Sequence, residues 1–145
     1  MTALQTLGTR LAALPEDPRI LGLAALARTP LVHRKGEGNG VTLIFKNPGI
    51  REGLSDLPWH RDCGLGGHAL MCPLVIVSVY LTPANAGTGA LRFLPGSWNR
   101  ACAFAEANDP RAPQGIAFAA EPGDVSVHFG DVMHAAPPPA RDDLG

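Results

Sequence analysis

The sequence has no block of basic residues. Lysine and arginine number 12 against 13 acidic residues, a formal net charge of -1. Binding nucleic acid through its phosphates needs a positive footprint, so that class is excluded. A long apolar run is also missing. The longest, Pro73 to Leu81, is broken by Ser78 and falls far short of the roughly 20 residues a bilayer helix needs. The opening stretch MTALQTLGTRLAALPED lacks the charged start and long apolar core of a signal peptide. Cysteines number three, an odd count that argues against a disulfide framework. A reducing cytoplasm is therefore the expected compartment, with no membrane and no nucleic acid as partner. Charge is sparse at 17%, but 46% of the chain is hydrophobic, which is a globular composition with material for one core.

Glycine (17) and proline (14) are abundant, and such punctuation suits a mostly-β chain better than a helix bundle. Leu4, Leu7, Leu11 and Leu14 recur at helical spacing up to Pro15. Asp17-Pro18 reads as an N-cap with proline at the first helical position, starting a second helix through RILGLAALAR to just before Pro30. LVHR and VTLIFK flank GEGNG and read as two strands and a turn; no helix follows the glycines, so this is no phosphate cradle. PLVIVSVYL is expected as a central strand buried on both faces and paired near VSVHF. ALRFL, IAFAA and VSVHF are further short strands, and EPGD has turn chemistry. WNRACAFAEANDPRAPQG reads as irregular with one helical turn, and HAAPPPARDDLG as irregular throughout. The expectation is a single domain over 1–145, helical over 1–29 and β over 30–145. Its architecture would be a sandwich of two sheets or a jelly roll.

The chemistry centres on PWHRD. Residues i and i+2 of an extended segment project to one side, so His60 and Asp62 enter the same space. Imidazole plus carboxylate suits a divalent transition metal, and non-haem iron(II) when a second histidine completes a facial triad. His33, His68, His128 and His134 are the other histidines. His134 is favoured as third ligand, at the end of a late strand where a jelly roll returns beside an early one. His128 is the rival; alternating with apolar neighbours, it also reads as a packed core residue.

Three blocks in order, PWHRD, TGALRFLPGSW and EPGDVSVHFGDVMHAAPP, resemble the phytanoyl-CoA dioxygenase family over roughly residues 41 to 139. The resemblance implies a double-stranded β-helix, a cupin-like jelly roll, with N-terminal helices. It implies an Fe(II)- and 2-oxoglutarate-dependent dioxygenase that hydroxylates a small organic substrate. His60, Asp62 and His134 would be both metal ligands and catalytic residues. Lys46, in FKNPG, matches a lysine near the family's site and is assigned to cofactor binding. Asp62 disfavours halogenation, because related halogenases carry a small residue there. Trp98 stands where the family usually has histidine after PGS. The family clamps the distal carboxylate of 2-oxoglutarate with an arginine on a strand after the last histidine. Arg141 is the only arginine after His134, a few residues early and in a loop. An arginine fork suits a carboxylate, so Arg141 is the candidate clamp. The expectation is a C-terminally truncated domain whose closing strands are missing. The alternative is a non-catalytic metal- or ligand-binding jelly roll derived from such an oxygenase.

Other residues carry two readings each. Cys63, His68 and Cys72 could suggest zinc, but the spacing is not a CxxC pair and no second pair follows. Trp59 and Trp98 either line a pocket or close the core. Arg92 either points into the barrel towards an anion or faces solvent.

Overall fold

The computed structural model describes residues 9–27, 42–63, 72, 74–99 and 114–140. The chain divides into two compact units, Met1–Ile44 and Phe45–Gly145. In the first, α1 (Thr9–Ala13) leads through a 3-10 turn, Leu14–Glu16, to α2 (Pro18–Gly22) and a second 3-10 segment, Leu23–Leu26. Asp17 caps α2 as its sequence requires: the carboxylate accepts from the Arg19 backbone N–H at 2.8 Å and from its guanidinium at 2.7 Å. Those bonds hold the Asp17 carboxyl down to about 2. The second helix is shorter than expected. It ends as α at Gly22 because glycine has no side chain to restrict the backbone and weakens a helix interior.

The second unit is built of strands. β1 (Leu57–His60), β2 (Val75–Val79), β3 (Arg92–Phe93), β4 (Ile116–Ala117), β5 (Val125–Phe129) and β6 (His134–Ala136) form two antiparallel sheets. One has the order β1-β6-β3-β4 and the other pairs β2 with β5. This is the β-sandwich arrangement of a jelly roll, as expected. Pro58 is tolerated in β1 because, among the described residues, that strand lies at a sheet edge, where proline is accommodated.

Three strand expectations need correction. Residues 42–46 of VTLIFK join no sheet among the described residues, and Phe45 is 62% exposed; apolar β-branched content alone does not supply a pairing partner. LVHR lies outside the described residues. β2 does pair with β5, with Ile76 opposite His128 and Ser78 opposite Ser126. It is not central or doubly buried, however. Its ladder has two strands among the described residues, and Val75 to Val79 are all half-buried. HAA, read as irregular, is β6, and His134 starts that strand rather than ending one. Irregular structure begins at the prolines after it, which lack the N–H a ladder needs.

One face of the larger sheet carries the core: Trp59, Met133 and Ala135 are buried together with Leu94 packed on them. Trp59 is thus a core residue, while Trp98 is exposed. Arg92 stands opposite Ala135 and Ala117, on the face away from His134. The other face is filled by rings. Tyr80 stacks on Phe118, and Phe118 meets Phe93 edge-on. Phe93 then lies 5.0 Å from His128, which lies 4.7 Å from His134. This aromatic row runs from the smaller sheet to the larger and ends at the polar cluster.

Candidate metal centre

His60 closes β1 and His134 opens β6, and the two residues are register partners. Between the pairs Leu57–Ala136 and His60–His134 the register shifts, so β1 carries one extra residue. Such a bulge twists a strand and re-aims its side chains. The His60 and His134 rings come within 4.3 Å, centroid to centroid. Asp62 follows on the exit from β1. Its Oδ1 is 3.4 Å from His60 Nε2, and its Oδ2 is 3.5 Å from His134 Nε2. One ligand atom from each of the three lies within 4.8 Å of the others.

Both histidines are pre-set for ligation. His60 Nδ1 lies 2.7 Å from the Pro58 carbonyl, and His134 Nδ1 lies 3.0 Å from that of Val132. A carbonyl only accepts, so each Nδ1 carries the hydrogen and each Nε2 presents a lone pair to the cluster. A backbone partner of this kind fixes the tautomer and orientation of a metal-binding imidazole. The electrostatics of Asp62 and His134 agree. The neighbouring imidazoles, His128 and His60 first, hold the Asp62 carboxyl well below the usual carboxylate range, so it is anionic. Burial pushes His134 below its ordinary value and keeps it neutral. Asp62 raises His60.

Long-range bonds explain why these residues meet. Arg61, between two members of the cluster, donates to the Ser97 carbonyl at 2.8 Å. The Ser97 hydroxyl accepts from the N–H of Met133, the residue before His134, at 2.8 Å. Cys63, just after Asp62, donates its N–H to the Gly130 carbonyl at 3.1 Å. Asp131 Oδ2 accepts the Cys72 N–H at 2.9 Å. The blocks HRD, PGS and GDVMH are therefore laced together by hydrogen bonds that each use at least one backbone group. Ser97 is 1% exposed, and its role is not among the sequence expectations. The available signal was its place directly after proline and glycine, where a small hydroxyl can reach a neighbouring chain.

Lys46, assigned to cofactor binding by sequence, uses its ammonium on three carbonyls: Ser55 at 2.9 Å, Ala136 at 2.9 Å and Pro137 at 2.6 Å. Burial pushes it down to about 8, partly opposed by Asp56. Arg141, His33 and His68 lie outside the described residues. The rival histidine, His128, is not excluded from the neighbourhood: its Nε2 is 3.6 Å from Asp62 Oδ2.

The model of the family described as phytanoyl-CoA dioxygenase (PhyH) matches residues 11–140. The chain belongs to the phytanoyl-CoA dioxygenase family. For this family member the match takes in the end of α1, the whole of α2 and the six described strands, a longer span than the three motif blocks carry. Phytanoyl-CoA dioxygenase family proteins are in general Fe(II)- and 2-oxoglutarate-dependent, and the donor set of His60, Asp62 and His134 suits that metal. No curated protein and no solved structure matches the chain. Among the described residues, no helix is long and apolar enough to cross a membrane.

Proposed function

We propose that the protein is an Fe(II)/2-oxoglutarate-dependent dioxygenase that hydroxylates a small organic substrate, with His60, Asp62 and His134 as its metal ligands. The observation that carries this reading is the convergence of two tautomer-fixed imidazoles and one anionic carboxylate within 4.8 Å. The chemistry supplied by iron in such a site is dioxygen activation coupled to conversion of 2-oxoglutarate to succinate and CO2. The chain's own contribution is to hold and shield. His60 and His134 offer Nε2 lone pairs, and Asp62 offers negative charge. The rings of Phe93 and His128 wall the inner side against water. Arg141 is proposed to meet the distal carboxylate of 2-oxoglutarate, because a guanidinium fork matches a carboxylate. The cytoplasm is the proposed compartment, on the thiol argument above.

A second reading, a metal-binding domain without turnover, is favoured by the engagement of Lys46 with carbonyls and by the place of Arg92 on the sheet face away from His134. One assay separates the two. Anaerobic iron(II) binding followed by succinate release on admitting dioxygen supports the oxygenase. Iron binding without succinate supports the second reading. Undiminished iron binding by Asp62→Ala sinks the ligand assignment.

A further inference from the structure

We propose that His128 is a positioning residue for the metal-binding carboxylate: its Nε2–H donates to Asp62 Oδ2 and leaves the other oxygen for the metal. The inference rests on the metal reading above and adds a residue to it. His128 is 8% exposed, and neither of its ring nitrogens has a hydrogen-bond partner. Buried polar atoms are nearly always satisfied, so two on one ring call for an explanation. Nε2 lies 3.6 Å from Asp62 Oδ2, a few tenths of an ångström beyond bonding reach. The ring is held in place by β5, opposite Ile76, and by Phe93 and His134 at 5.0 and 4.7 Å. Asp62 is the member that can move, since it lies beyond the end of β1 with 30% of its side chain exposed.

Two features distinguish His128 from a ligand. The group whose ligand atoms lie within 4.8 Å of one another is His60, Asp62 and His134, and His128 stands outside it. A ligating histidine nearly always donates its second ring N–H to a fixed acceptor. His60 and His134 do so, to the carbonyl two residues earlier, whereas Nδ1 of His128 has no partner. Its free proton is therefore best placed on Nε2, facing the carboxylate. With Oδ2 held this way, Asp62 binds through one oxygen and leaves more of the metal's surface to small ligands.

The test uses Co(II) as the probe, with X-ray absorption to count imidazoles. The expected result is two imidazoles in the unaltered protein and still two in His128→Phe, whose Co(II) affinity falls by about 10- to 100-fold, the range for loss of an outer-shell partner. His128→Gln, which keeps an N–H donor, recovers most of that loss; a purely structural ring would not be rescued by an amide. Where His128→Phe fails to fold, nitrogen-15 spectra of the unaltered protein loaded with Zn(II) decide. They are expected to place a slowly exchanging hydrogen on His128 Nε2, and a hydrogen on Nδ1 instead overturns the inference. Equal affinity in His128→Phe overturns it, as does a count of three imidazoles, which makes His128 a ligand. An unaltered protein that binds no Co(II) fails earlier and overturns the metal reading along with this one.

Discussion

Replacing Lys46 by methionine removes one ammonium and keeps an unbranched side chain of similar length. The ammonium bridges two segments. Ser55 lies just before β1, and Ala136 and Pro137 form the exit from β6. The β1–β6 ladder is the one that brings His60 opposite His134. A hydrogen bond from a charged donor contributes about 1.5–3 kcal/mol net, and three would sum to more than 4 kcal/mol. Lys46 is only half-buried, so water replaces part of what is lost, and about 2 kcal/mol is the discounted figure. For a chain of this length that corresponds to a Tm lower by roughly 8 °C. Burial acts in the opposite sense. A lysine held down to about 8 has lost its proton where the unfolded chain, at 10.5, keeps it. Burial alone would therefore make stability rise between those two pH values. The three carbonyls oppose this, because only the charged form donates three hydrogens. Differential scanning fluorimetry at pH 7 is the assay. A Tm for Lys46→Met equal to or above the parent's would refute the strap, and a parent stability that climbs from pH 8 to 10 would show that burial outweighs the bonds.

Ser97→Ala removes the acceptor of the buried Met133 N–H and is expected to destabilise by about 1–3 kcal/mol in denaturant unfolding, with weaker Co(II) binding. Asp62→Ala is expected to reduce Co(II) affinity by more than about 100-fold, beyond the range for an outer-shell partner, with the melting curve of the metal-free protein little changed. At Gly89, with φ of 74°, a Cβ would overlap the Pro137 carbonyl oxygen, so Gly89→Ala is expected to cost about 3 kcal/mol or lower the yield of folded protein. Gly115→Ala places a Cβ 2.5 Å from the Trp59 ring at a φ of 62°, and altered tryptophan fluorescence together with a lower Tm is the expected readout.

How far the sequence reached depended on the range of the signal. HxD spacing is local, and the period of an extended chain is enough to put His60 and Asp62 on one side. The Asp17-Pro18 cap is equally local and formed as read. The pairing of β2 with β5 was legible because both are short β-branched runs. The burial of β2 was not, since burial depends on which segments cover a strand, and its own residues do not encode that. His134 as the start of β6 was missed for a related reason. HAA has no strand propensity of its own and is extended because it lies between β1 and β3. Arg92 could not be assigned to a face until its opposite neighbours, Ala135 and Ala117, were known.

The same distinction accounts for His128. In VSVHF the residues that share a face are Ser126 and His128, both buried, while the valines face the other way. A strand that buries its polar residues and leaves Val125 exposed inverts the usual pattern. That inversion shows only once the buried face is known, and it indicates a polar interior. The wall of that interior is continuous: the Tyr80 and Ser126 hydroxyls lie 3.2 Å apart, and His128 follows two residues on towards Asp62. The smaller sheet thus turns its hydrogen-bonding side towards the cluster of His60, Asp62 and His134 on the larger one. A jelly roll built only for stability would fill that space with aliphatic groups, because burying polar groups costs free energy unless each finds a partner. A polar lining retained opposite two imidazoles and a carboxylate is an arrangement that suits the proposed binding of a metal and a small polar ligand.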